Sequence, residues 1–411
     1  MNVNNYTNLD LIKYSLVLSL LIFLNYFLWS INSWEIIRSI NFLFLLGVFT
    51  FFFISKKFNT YWYVRAILLL LLIICLGSPT IANDARTFFI FPVKILYYES
   101  DLYFRLNHNL SFINYDNHNF LDAVFSRPKL AASLSATFAQ LLGTWNVIFP
   151  KSTNVILILP PTLFLISFLK DKFLILLWLF LMLFFSGKLF TNGLMDGILA
   201  LYFVAGVFIV YKISLTSDEF ESKLLYFLMF LFFVILSLIK HEGGVMVLSI
   251  LFSSVFIEII YKRKINFKFI AIVLCSLCPL TFWRYLFLSN NSKMEFLSYG
   301  NPVNRFFERI TNPDDIITVL SYIIINEKLV ISIIIFSFIS YKYFNKYKKL
   351  IFYIVLNFLF YFSTLIAAVL LTTHTVEIQL IHSANRIFIP LVLMLSYFFV
   401  FLINTNLNKS N

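Results

Sequence analysis

Ionisable residues are scarce in this chain, and four short groups of them combine types that do chemistry. The first is Asn83-Asp84-Ala85-Arg86, directly after an apolar run. A carboxylate where a membrane helix emerges can take a proton from an acceptor hydroxyl or amine, although an interfacial cap or ion pair would look the same. The second is Thr191-Asn192-Gly193-Leu194-Met195-Asp196-Gly197, with Asp196 at the head of an apolar helix. There a carboxylate is a candidate for binding substrate, or simply favours the positive end of a helix. The third, Lys240-His241-Glu242-Gly243-Gly244, sets three consecutive ionisable residues before two glycines, a pattern that can hold a phosphate or a metal, or make an ordinary turn. The fourth runs from His374-Thr375-Val376-Glu377 to His382-Ser383-Ala384-Asn385-Arg386, with Pro390 following. A guanidinium forks onto phosphate in a way that an ammonium does not, and Arg386 also fits a side chain snorkelling at a membrane boundary.

These groups are embedded in a chain that is 60% hydrophobic and 13% charged. Such a composition excludes an ordinary soluble domain and predicts an all-α, polytopic membrane protein. Apolar runs fall near residues 12–30, 40–55, 62–78, 131–149, 154–169, 173–189, 193–212, 223–240, 243–260, 268–288, 325–341, 349–372 and 387–404. Each is close to the ~20 residues that cross a hydrocarbon core of ~30 Å, so about 11 to 13 transmembrane helices are expected in one domain spanning 1–411. The first run, preceded by a polar stretch and followed by no small-residue cleavage site, reads as a retained helix.

The formal charge of +12 does not point to nucleic acid. The basic residues cluster in short loops, at Lys56 and Lys57, at Lys262, Arg263, Lys264 and Lys268, and at Lys342, Lys346, Lys348 and Lys349, where the positive-inside rule accounts for them. Facing those loops to the cytoplasm sends all four groups to the other side. The count is off by one crossing between 131 and 190, which implies that 154–169 or 173–189 does not cross fully. The segment 79–130 becomes an external loop. Its part from Phe88 to Phe120 sets Phe88, Phe89, Ile95, Leu96 and Tyr97 among Lys94, Glu99, Asp101 and Arg105, as in a helix lying on a membrane surface. The second polar outer segment, 290–317, reads as a solvated interhelical loop. Cys75, Cys275 and Cys278 all lie in apolar runs and read as small core residues, not as a disulfide or metal framework.

In this order the motifs resemble a family. Asp84-Ala85-Arg86 with its amphipathic sequel, Arg127-Pro128-Lys129-Leu130 running to Gly143-Thr144-Trp145-Asn146, Asn192-Gly193-Leu194-Met195-Asp196 with Leu199-Ala200-Leu201-Tyr202, Ile239-Lys240-His241-Glu242-Gly243, and the closing His382 to Arg386 with Pro390 are similar to bacterial glycosyltransferases of the GT-C superfamily. These polytopic enzymes use polyprenyl-phosphate sugars and include protein O-mannosyltransferases and lipid A aminoarabinose transferases. The resemblance covers most of residues 75–390. It implies a GT-C-like bundle, a bacterial inner (plasma) membrane location and an active site on the periplasmic or external face. It also implies transfer of a sugar from a polyprenyl-phosphate donor to a glycan, lipid or protein acceptor.

By the same resemblance Asp84 is the catalytic base, while Arg86, Asp196, Lys240, His241, Glu242, His382 and Arg386 bind substrate. A divalent metal is left open as a cofactor, because Asp84, Asp196 and Glu242 could converge on one face. Two other readings stay open. An O-antigen polymerase or ligase would place its large outer loop late in the chain. A lipid-linked sugar transporter or flippase would carry charges at mid-bilayer depth and related halves.

Overall fold

The computed structural model describes residues 8–77, 86–100, 127–262, 266–289, 301–372 and 375–407. Among them every regular element is a helix. Long Leu/Ile/Phe runs propagate these helices, and short polar side chains cap some of them. Asn8 caps α1 (Leu9–Ser30), which is followed by α2 (Glu35–Ile54), a 3₁₀ turn over Lys56–Tyr61 and α3 (Trp62–Gly77). A π turn (Arg86–Ile90) leads into α4 (Phe91–Glu99), then α5 (Leu130–Leu142), α6 (Phe149–Ile166), and α7 (Lys172–Thr191) capped by Asp171. Next come α8 (Asp196–Ile213), α9 (Glu219–Ile239) capped by Asp218, α10 (His241–Lys262) and α11 (Phe267–Ser289). The chain closes with α12 (Pro302–Thr311), α13 (Pro313–Ile325), α14 (Glu327–Leu371), α15 (Val376–Ile387) and α16 (Ile389–Leu407).

Ten of these helices are long and apolar enough to cross a membrane. The multi-pass, all-α architecture expected from composition is therefore present. α8 lies at its centre, packed against α6, α7, α9, α10, α14, α15 and α16. That placement explains why α8 is apolar on all faces: 83% of its apolar window is buried, against 28% for α2, which turns many side chains outward.

Interhelical contacts sort the loops into two ends. At the basic end the backbone N–H of Asn8 donates to Ser167 O at 3.0 Å, and Lys57 pairs with Asp10 at 2.9 Å. Lys13 lies over the Phe220 ring, Lys212 pairs with Glu221 at 3.2 Å, and Asn266 donates to the Tyr226 hydroxyl at 3.0 Å. Lys170 N–H donates to Asn404 Oδ1 at 3.1 Å, Lys346 Nζ to Asn406 Oδ1, and the Tyr347 hydroxyl to Thr405 at 2.9 Å.

At the opposite end Cys75 and Asn154 both donate to Phe190 O. There Asn326 donates to Asn385 at 3.3 Å, and Arg309 donates to the terminal carbonyls Leu370 O and Thr372 O of α14.

Four sequence expectations change. The 45 residues of α14 would extend about 68 Å as one helix, more than twice the hydrocarbon core. The element breaks at Tyr347 (φ −121°, ψ 22°) beside the basic end, while both its termini bond at the opposite end. It is therefore two spans, matching the two apolar runs, joined with no loop.

The incomplete crossing is α5, not 154–169 or 173–189. α5 has 13 residues, about 20 Å. Thr137, midway along it, bonds Trp29 and Asn25 at the far end of α1, and Ser135 bonds Thr153 at the start of α6. Its last turn reaches Ser100 through Gln140 at 3.2 Å. All these partners belong to the same end of the bundle, and α6 and α7 make the two crossings that follow.

Finally, Cys275 and Cys278 are exposed on α11 instead of forming core, and only Cys75 is buried. Within 290–317, the described residues form α12 and the start of α13, not an irregular loop. α12 buries none of its residues, yet Arg305 and Arg309 tie it to the carbonyls that end α14.

Candidate functional site

The non-basic end of α8 brings together acidic and basic side chains from two separate parts of the chain. Phe190 ends α7 against α8, and Gly193 adopts a left-handed φ of +83°, which lets the short turn after α7 reverse into α8 at no steric cost. Asn192 Oδ1 steadies that turn by accepting from Leu194 N–H at 3.0 Å. Asp196 follows as the first residue of α8, but it is not the cap, and no side-chain capping bond forms there. Asp171 and Asp218, in contrast, spend their carboxylates on capping helix N–H groups. Asp196 instead receives Lys240 Nζ on Oδ1 at 2.6 Å.

Lys240 is a single-residue link between α9 and α10, extended at φ −152° and ψ 161°. The close approach of the two helices depends on Gly243, where an added Cβ would fall 1.8 Å from Leu236 O. With both neighbouring helices fixed, the lysine has little freedom except along its own stem. Its side chain is 16% exposed and that of Asp196 is 11%, so the pair is largely withdrawn from solvent. Glu242 Oε1, on a half-exposed side chain, lies 4.0 Å from the same ammonium.

Two further elements reach this cluster. Arg127, just before α5, and His241 act electrostatically on Glu242, and Tyr361, from the second half of α14, lies within electrostatic range of Asp196 and Glu242. The Lys129 ammonium, beside Arg127, sits over the Trp283 ring at 5.1 Å. The basic flank before the non-crossing helix α5 thus meets α11 at Trp283 and acts electrostatically on Glu242 at the head of α10. Within the cluster Asp196 Oδ2 is buried and has no hydrogen-bond partner. A desolvated carboxylate oxygen left unpaired costs free energy, so its retention needs an explanation beyond packing.

Of the residues singled out in sequence, Asp196, Lys240, His241 and Glu242 come together. Asp84 lies outside the described residues. Arg86 is exposed at the start of the π turn, and Arg386 is half-buried in the last turn of α15, a helix that touches α8. His382 lies on α15 with only its backbone described. No three His, Cys, Asp or Glu side chains among the described residues converge as metal ligands.

Arg127 and Tyr361 were not singled out as site residues. The basic pair around Pro128 is a weak sequence signal for the first. Tyr361, one of 22 tyrosines, carries none. Compared with family models, with curated proteins and with solved structures, the chain has no match in any of the three.

Proposed function

We propose that the chain is an integral-membrane glycosyltransferase of the GT-C kind, moving a sugar from a polyprenyl-phosphate donor to an acceptor outside the cytoplasm. The observation that carries this reading is the Asp196–Lys240 pair. It is a desolvated ammonium held in place by one carboxylate oxygen, with Glu242 beside it and the charge of Arg127 acting on Glu242, at the end of the bundle away from the basic loops. The positive-inside rule assigns the basic loops to the cytoplasm, which puts the cluster on the external or periplasmic side.

In the proposed reaction the acceptor hydroxyl or amine attacks the anomeric carbon while the bond from that carbon to the phosphate oxygen breaks. The acceptor proton passes to a carboxylate, and the lipid phosphate leaves with the electron pair. Lys240 and Arg127 stabilise the charge that develops on the departing phosphate, and Arg386 is a third candidate cation. Asp196 orients Lys240. It is a positioning residue unless its free Oδ2 also receives a sugar hydroxyl. Asp84 remains the proposed base. The chain leaves α3 at Gly77 and is described again from Arg86. Attack opposite the leaving group inverts the sugar carbon.

The experiment is transfer from radiolabelled polyprenyl-phosphate sugars by the purified protein in detergent, comparing wild type with Asp84→Asn, Lys240→Met and Arg386→Ala. Loss of transfer in the Asp84 and Lys240 variants, with donor still bound by Asp84→Asn, supports the reading. Donor bound by wild type but never turned over, across a broad panel, would move a lipid-linked sugar transporter ahead.

A further inference from the structure

A second polar site lies away from that cluster, where the last turns of α1 meet the first turn of α2 and the middle of α5. Arg38 is 2% exposed, and its Nε and Nη1 groups are buried with no hydrogen-bond partner. Its guanidinium carbon lies 3.7 Å from the centroid of the Trp29 ring. At that separation the guanidinium rests on the ring face, which offsets part of its desolvation but satisfies none of its in-plane N–H groups.

At its edge Trp29 Nε1 donates to Thr137 Oγ1 at 2.8 Å, and that hydroxyl donates to Asn25 Oδ1 at 3.1 Å. Asn25 is fully buried, and its Nδ2 also lacks a partner. Two side chains more than nine-tenths buried therefore keep unused donors at this junction, Nε and Nη1 on Arg38 and Nδ2 on Asn25. Glu35, the carboxylate whose field reaches Arg38, is exposed. Phe42 and Phe138 stack at 5.5 Å between α2 and α5.

We propose that this junction binds a phosphate oxyanion, from a lipid headgroup or from free phosphate, with Arg38 as the charge and Asn25 as a neutral donor. A buried cation with idle donors is costly, and an anion that accepts from them removes the cost. Arg38 lies three residues after the first residue of α2, about 5 Å along its axis. Exposed Trp34, Ile36 and Ile37 flank it, as at a membrane interface, which is the depth of lipid phosphates. The inference is independent of the transferase reading.

The test is thermal melting of the full-length protein in detergent with phosphatidylglycerol, phosphatidylcholine or inorganic phosphate added. Wild type should gain several degrees with phosphatidylglycerol. Arg38→Met should gain nothing, and without lipid it should melt no lower than wild type, because it loses an uncompensated buried charge. Asn25→Leu should reduce the lipid shift and serves if Arg38→Met does not fold. An equal gain with inorganic phosphate assigns the site to the free ion, whereas a gain confined to phosphatidylglycerol assigns it to the headgroup. No gain with any additive, or a full gain retained by Arg38→Met, overturns the proposal.

Discussion

The Asp196–Lys240 pair makes a quantitative prediction. Removing one member of a largely buried ion pair leaves the other charge uncompensated, at a cost of about 3–5 kcal/mol when burial is complete. Here Glu242 stands 4.0 Å from the ammonium and can take over part of the load. Asp196→Asn should therefore cost less than Lys240→Met, which strands a carboxylate whose second oxygen is already unpaired. About 2 kcal/mol for the first and about 3–4 kcal/mol for the second follow from scaling that range.

At an unfolding entropy of about 2.1 cal/mol/K per residue, a chain of 411 residues shifts by about 1 °C per kcal/mol, so the single variants should melt about 2 and 3–4 °C lower. The double variant removes both charges together. It should recover about 2 kcal/mol or more relative to the sum of the singles, because neither partner is then left charged and alone. The assay is a double-mutant cycle read by melting of the detergent-purified protein, with sugar transfer measured in parallel. Single-variant effects that add within about 0.5 kcal/mol would refute the pair as an energetic unit. Transfer retained by Lys240→Met would remove the ammonium from the proposed reaction.

Other consequences are simpler to score. Cysteines placed at Arg127 and Thr144 should both be labelled by an impermeant maleimide from the same side of the membrane, because α5 returns to the end it started from; labelling from opposite sides would restore a full crossing. Gly243→Ala should abolish monodisperse expression by size-exclusion chromatography, since its Cβ would meet Leu236 O at 1.8 Å, while Gly47→Ala, with nothing within 4 Å, should behave as wild type. Arg309→Ala should release α12 and speed its cleavage by protease, as the guanidinium bonds the carbonyls of Leu370 and Thr372. Tyr347→Phe should cost about 1 kcal/mol through the lost bond to Thr405 and leave transfer unchanged.

The sequence by itself determined that this chain is a helical membrane protein and where most of its spans lie. Those properties are local: about 20 apolar residues satisfy a bilayer whatever packs beside them, and a backbone in lipid must satisfy its own hydrogen bonds. It also picked out Asp196, Lys240 and Glu242, because charges are rare and placed at helix ends, and rare charges stand out.

What only the tertiary structure decided are relations between distant parts. Residues 131–149 read as a span because α5 is apolar enough, yet its Ser135 and Thr137 bond neighbours at one end of the bundle, which no hydropathy average registers. The pairing of Asp196 with Lys240 across 44 positions, the arrival of Arg127 and Tyr361, and the stacking of Arg38 on Trp29 depend on how helices pack. Arg38 in particular is not marked out by the sequence. Only burial turns its unused donors into a reason to look for a ligand.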